Sequence, residues 1–279
     1  MINVLFYGNC QLNAVFQTLN LPKTQFNTFL IECFSTNINK EEFTNTIKNC
    51  DIIIVQPIDD NYRNKCYLST SYVVNNSKNN CKIFFFNNCH FDFYYFDLTY
   101  KKMNNTFFDK PNIYHYNKMI ECYNNNLSAN YYVNKHVNNL GLKTSTELEM
   151  IAENSLHELQ KRYINMLNTY NNNKNTYFIA IHDFIKNNYK TTLLFYSMNH
   201  PSKYVIQFVC KKIIDNLQTP ITIDYNIDFF SNIKCILYKC IQNYVHFNVN
   251  EYSPLLLNNS NVHDITKMYY NEYKKIGKI

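Results

Sequence analysis

The chain has 279 residues, 46% hydrophobic and 17% charged, which is enough for one sizeable core or two small ones. Its net charge of +6 rests on 25 lysines scattered along the chain and two arginines, Arg63 and Arg162. That spread argues against a nucleic-acid binder and for an ordinary solvated surface, still compatible with phosphate-bearing small ligands.

The 48 asparagines, 25 tyrosines and 21 phenylalanines share A/T-rich codons and describe a genome of that bias, bacterial, protist or large-viral. No apolar run approaches the ~18 residues of a membrane span. The opening Met1-Ile2-Asn3-Val4 lacks the basic start of a signal peptide. Ten cysteines in that context read as reduced thiols of a cytoplasmic protein, in the host cytoplasm if the genome is viral. There is no CxxC pair, and Cys235/Cys240 and Cys81/Cys89-His90 are too loosely spaced for structural zinc, so no metal is expected.

In chain order, residues 2–7 read as a buried strand feeding a helix over 11–19, whose Leu12, Val15, Phe16 and Leu19 share one face. A strand follows at 27–32 and a helix at 40–48. The β-branched run Asp51-Ile52-Ile53-Ile54-Val55 is a central strand ended by Gln56-Pro57. A helix over 64–75, a turn at 75–80 and the strand 82–86 complete an α/β pattern, a small parallel sheet with right-handed crossovers. Beyond about residue 100 the spacing predicts helices over 114–124, 129–139, 145–169, 177–189 and 201–216, while 220–279 carries no clear pattern. The expectation is one domain over 1–279: an α/β core in about the first 100 residues, elaborated by a large helical part.

Chemistry enters at Gly8-Asn9-Cys10-Gln11, where strand one meets helix one. With only three glycines in the chain, one stands where a tight turn or a close approach would need it. A cysteine at the following helix N-terminus is expected to have a lowered pKa and to be the most reactive of the ten thiols, and the N–H groups there suit an oxyanion. Against this stands a buried structural cysteine beside a routine turn. Asn199-His200-Pro201-Ser202 puts a histidine at a helix start, able to serve as a base for a nucleophile from elsewhere in the fold. Gln56 through Arg63 and Asn87-Asn88-Cys89-His90-Phe91-Asp92 follow two further strands onto the same rim, and the fork of Arg63 suits phosphate. Glycine-rich phosphate loops, GxSxG, HExxH and paired carboxylates are absent from the sequence, which excludes dinucleotide and P-loop readings.

These segments, in this order, resemble the WcbI-type polysaccharide-biosynthesis acetyltransferase family. The similarity lies in Gly8-Asn9-Cys10-Gln11, in Asp51 through Gln56-Pro57, in the Asn88, Phe91, Asp92, Tyr94, Asp97, Leu98 and Tyr100 pattern, and in Leu194-Phe195 through Asn199-His200-Pro201-Ser202. It runs from residue 1 to about 215. The segment around Phe93 and Tyr95-Phe96 departs from the family, which has Gly and His-Pro there. The resemblance implies a sheet of SGNH- or flavodoxin-like kind and an SGNH-like site with cysteine at the nucleophile turn, acetyl-CoA as co-substrate and a sugar as acceptor. It implies Cys10 and His200 as the catalytic pair. Gly8, Asn9, Gln11, Asn88 and Asn199 would position the oxyanion or substrate. Gln56, Arg63, His90, Asp92, Tyr94, His115 and Ser202 would hold coenzyme A or the sugar, with His90 and His115 as reserve bases.

The expected function is therefore acetyl transfer from acetyl-CoA to a hydroxyl or amine of a nucleotide-sugar or glycan, beside or fused to a glycosyltransferase. A carbohydrate esterase using the same pair is the alternative. A non-enzymatic carbohydrate-binding module would use the Tyr and Asn content directly. Binding of coenzyme A separates the first from the other two.

Overall fold

The computed structural model describes residues 1–100, 114–171, 175–217, 221–233, 235–247 and 259–276. Its centre is a five-stranded, all-parallel sheet of β1 (Ile2–Gly8), β2 (Phe26–Glu32), β3 (Ile52–Val55), β4 (Lys82–Phe86) and β5 (Thr176–Ile179), in the spatial order β2-β1-β3-β4-β5. The α/β class and parallel sheet read from the sequence are therefore those of the protein. Register follows the apolar runs: Gly8 lies opposite Glu32, Tyr7 opposite Val55 and Ile54 opposite Phe84. All four residues of β3 are buried, as a strand covered on both faces requires.

Short polar caps set the helices that follow. Asn9 caps α1 (Cys10–Thr18), its side chain accepting from the Gln11 N–H, and Asn39 caps α2 (Lys40–Asn49) through the N–H groups of Glu41 and Glu42. Ser69 does the same for α3 (Thr70–Asn76). The helix expected over 64–75 is only α3. Before it come two 3₁₀ turns, Tyr62–Asn64 and Cys66–Leu68, with Arg63 and Asn64 at φ of 54° and 55°. Those left-handed residues interrupt the α ladder.

The chain separates into two compact units. The first comprises Met1–His90, Leu156–Asn187 and Asn199–Asn232; the second comprises Phe91–Ser155, Asn188–Met198 and Ile233–Ile279. The sheet is thus completed beyond residue 100, by β5. The helices expected over 114–124, 129–139 and 145–169 give α4 (Asn117–Asn124), α5 (Ala129–Tyr132) and α6 (Ser145–Tyr170), and that expected over 177–189 divides into β5 and the short α7 (Ile181–Asn188). Thr176-Tyr177-Phe178-Ile179 is β-branched and aromatic, but so short a run carries no period that separates strand from helix.

In the first unit one sheet face packs Leu5, Tyr7, Ile53, Val55, Ile83 and Phe85 against Phe43, Ile47, Val73 and Met166. The opposite face meets α1, which packs in turn on α8 (Lys203–Leu217), and the two helices bury Leu12, Val15, Val205 and Val209. The second unit is built from aromatic side chains. Tyr114–Tyr116 forms a short antiparallel ladder with Leu98–Tyr100, so the helix expected over 114–124 begins only at Asn117. The segment expected as a helix over 129–139 is one α turn, Ala129–Tyr132, continued by a π turn, Val133–Val137. Among the described residues no helix is long and apolar enough to cross a membrane.

Candidate functional site

In an open parallel sheet, ligands bind beyond the C-terminal strand ends where the order reverses. Here that point lies between β1 and β3, and the residues just past those strands are Gly8-Asn9-Cys10 and Gln56. Gly8 is needed for room rather than for a left-handed turn. A Cβ there would stand 2.6 Å from Gln56 Oε1 and 3.2 Å from the Leu12 Cβ. The close approach expected at this glycine is thus made by a protein side chain.

That side chain opens a network of carboxamides beneath Cys10. Gln56 accepts from the Asn9 N–H at 3.0 Å and donates to Gln11 Oε1 at 3.1 Å. Gln11 Oε1 also accepts from the Cys89 N–H at 2.8 Å, while Nε2 donates to the carbonyls of Cys89 and Asn199, each at 2.8 Å. Both donors and both acceptor positions of the Gln11 amide are therefore filled. Asn9 accepts from the Gln11 N–H at 2.9 Å and donates through Nδ2 to Asn88 Oδ1 at 2.8 Å. One buried glutamine thus ties together the turn after β1, the turn after β4 and the residue preceding His200. The sequence sets Gln11 and Asn199 188 residues apart.

The same bonds correct two expectations. Gln11, 2% exposed with every amide position filled, and Gln56, 1% exposed and bonded to Asn9 and Gln11, are held inside the protein and fix the geometry of the site. What remains open is the Cys10 N–H, which meets no carbonyl among the described residues, and the Nδ2 end of Asn88, whose Oδ1 is taken by Asn9. Cys89 belongs to the network through its backbone, so its side-chain type gave no sign of it.

Cys10 is half-buried, and burial pushes its thiol above the ordinary value, with the Glu32 carboxylate adding to the rise against the pull of the Cys10 and Gln11 N–H groups. The lowered pKa expected from the helix N-terminus is not observed, because desolvation outweighs two N–H groups. The exposed thiol is Cys66 instead. All ten cysteines are free. His200 is also half-buried, its ring 4.9 Å from that of Phe230, and burial pushes its imidazole down to about 4. Cysteine and histidine both rest uncharged at neutral pH. Two residues on, Ser202 leads α8 and its carbonyl accepts from Val205; its Oγ is fully buried and meets no hydrogen-bond partner among the described residues.

Other expected site residues lie apart from this network. Arg63 donates through Nη1 to the carbonyls of Phe34 and Ser35 at 2.7 and 3.2 Å, fastening the turn after β2. Tyr94 is 1% exposed and donates its hydroxyl to the carbonyls of Tyr189 and Thr192, leaving nothing for a ligand. His115 is equally buried, its Nδ1 3.1 Å from the Tyr273 hydroxyl, which removes it as a reserve base. Asp92 uses its N–H on Ser155 at 3.2 Å, and His90 is half-buried at the end of the first unit. The described sheet edge also holds a cavity of about 410 Å³ lined by Asn87, Asn88, Arg162, Asn165 and Thr169. Arg162 was missed as a site residue, although its spacing with Asn165, Met166, Thr169 and Tyr170 marks one face of a helix.

A family model described as the polysaccharide biosynthesis enzyme WcbI matches residues 3–222. Among solved structures, a WcbI polysaccharide biosynthesis enzyme shares the fold with a TM-score of 0.75 at 18% identity, over 98% of this chain and 95% of that one. It is described as the native protein without a disulfide bond between coenzyme A and one of its cysteines. No curated protein matches the chain. The family match takes in the turn that carries Cys10, the amide network and the segment of His200, and by it the chain belongs to the WcbI family of polysaccharide biosynthesis enzymes.

Proposed function

We propose that this enzyme transfers an acetyl group from acetyl-CoA to a hydroxyl or amine of a sugar, with Cys10 and His200 as the reacting pair. The observation that carries the reading is the Gln11 amide. It anchors Asn199, and so the start of the His200 segment, to the helix that begins at Cys10. A fully buried, fully satisfied amide used for that purpose is what a preorganised site requires. The association of a structurally similar WcbI protein with coenzyme A favours transfer over ester hydrolysis.

Two routes fit an uncharged pair. In the covalent route the Cys10 sulfur attacks the thioester carbonyl as His200 takes the thiol proton. The carbon–sulfur bond to coenzyme A then breaks, and its departing thiolate takes that proton. The acceptor next attacks the acetyl-cysteine, its own proton passing to His200 and then to the Cys10 sulfur. In the direct route His200 takes the acceptor's proton while the acceptor attacks acetyl-CoA, and the proton leaves on the coenzyme A thiol. In either, the Cys10 N–H and Asn88 Nδ2 are the donors left to stabilise the oxyanion. The raised thiol favours the direct route, which needs no thiolate. Intact-mass spectrometry after mixing with acetyl-CoA and a quench decides between them. An adduct on Cys10 that decays when acceptor is added supports the covalent route, and turnover without an adduct supports the direct one. Failure of coenzyme A to shift the melting temperature would sink both.

A further inference from the structure

The cavity of about 410 Å³ beside the amide network combines a cation with hydrogen-bonding groups, and it falls within the ~300–1,000 Å³ usual for ligand sites. One wall comes from α6 (Ser145–Tyr170), whose Arg162, Asn165, Met166, Thr169 and Tyr170 recur on one helix face. Along that stripe Met166 is buried in the core and the Tyr170 ring stacks on Phe85 at 5.0 Å. The rest of the stripe is polar, and it faces Asp59, Asn87 and Asn88 past the ends of β3 and β4. Arg162 makes no ion pair or hydrogen bond among the described residues, although Asp59 lines the same cavity. The Asp59 carboxylate instead accepts from the Asn61 N–H at 2.8 Å. Asn88 connects the cavity to the site, since its Oδ1 accepts from Asn9, the neighbour of Cys10.

A planar guanidinium without a counter-ion suits a carboxylate or phosphoryl group, which it can grip with two parallel bonds. Carboxamides, a threonine hydroxyl and an aspartate suit the ring hydroxyls of a sugar. We infer that this cavity binds the acceptor, and that the acceptor is a sugar carrying an anionic group held by Arg162. The inference rests on the acetyl-transfer reading for what the bound sugar undergoes, but its binding test does not. A carboxylate of a uronic acid and a phosphoryl of a sugar phosphate offer Arg162 the same chemistry.

Titration calorimetry of the full chain with glucuronic acid, glucose 1-phosphate and glucose, and separately with coenzyme A, tests it. The expected result is that one or both anionic sugars bind, with glucose weaker by about tenfold or more. Arg162→Ala should abolish that preference and Arg162→Lys restore part of it, with coenzyme A affinity unchanged in both variants. The stronger anionic probe identifies the group. Equal binding of glucose, or binding of none of the three sugars, overturns the inference. A parallel loss of coenzyme A affinity in Arg162→Ala would assign the cavity to coenzyme A and overturn it too. If wild type binds anionic sugars but not coenzyme A, the inference stands and the acetyl-transfer reading falls.

Discussion

The sheet edge of the first unit and the interior of the second bury polar groups in different ways. At the edge, the amides of Asn9, Gln11, Gln56 and Asn88 satisfy one another and nearby backbone groups. In the second unit, tyrosine hydroxyls do that work. Tyr94 serves the carbonyls of Tyr189 and Thr192, Tyr95 that of Phe195, and Tyr238 the carboxylate of Asp97. Both follow from a composition rich in Asn and Tyr; at the edge a thiol, one N–H and one amide end are left over. A polar cluster whose members are all spent holds structure, and the atoms it leaves unspent are the ones available for chemistry.

The largest effect should come from removing the hub. Gln11→Leu keeps the volume but leaves the Cys89 N–H and carbonyl, the Asn199 carbonyl and Gln56 Nε2 without partners. At about 1–3 kcal/mol for each buried group stranded, a loss on the order of 4–5 kcal/mol is expected after partial relaxation. Urea denaturation measures it, and a loss under 1 kcal/mol would show that the network does not organise the edge. His200→Ala should instead leave the melting temperature nearly intact while lowering kcat by roughly 10²–10⁴-fold, the usual worth of a positioned base. Wild-type kcat in that variant would remove the Cys–His pair from the mechanism.

What the sequence revealed divides along the same line. The strands β1 to β4 were legible because β-branched and aromatic runs end in Gly8-Asn9, Gln56-Pro57 and Asn87-Asn88, and their rim follows from parallel connectivity. Cys10, Asn9, Gln11, Gln56 and Asn88 could be gathered for that reason, and Asn199 only through the family resemblance. Their division of labour could not, since which amide is saturated depends on contacts as distant as Gln11 to Asn199. The Cys10 titration went astray through burial, which no motif reports. Tyr94 and His115 look like ligand groups in sequence and are core in fact, because tyrosine and histidine are apolar for most of their surface. β5 was hidden by its length, and Arg162 by standing on a helix instead of in a motif.

Acid should separate the two regions further. His200 is held at about 4 against an ordinary 6.5, so between those values the unfolded chain binds its proton and the folded chain does not. Its share of stability is whole above pH 6.5 and is lost as pH falls toward 4, by about 3 kcal/mol at the limit. Asp97, raised by burial to about 6, has the opposite sign: the folded chain takes up its proton first, so stability grows as pH falls from 6 toward 4. The two partly cancel in wild type. Unfolding free energies at pH 8, 6, 5 and 4.5 for wild type and His200→Asn should show wild type losing stability relative to the variant as pH falls, and a constant difference would mean His200 titrates normally.

The smallest effect belongs to the aromatic unit. Tyr94→Phe keeps the ring among Phe91, Phe93 and Phe247 but removes the hydroxyl that the Tyr189 and Thr192 carbonyls share. Because one buried hydroxyl serves both, the loss should be about 1–2 kcal/mol, visible in urea denaturation. The kinetic constants are expected to be unchanged, since nothing about Tyr94 is left to face a substrate. A shift in KM for either substrate, at unchanged stability, would return Tyr94 to the binding site and blur the contrast between a spent cluster and an unspent one.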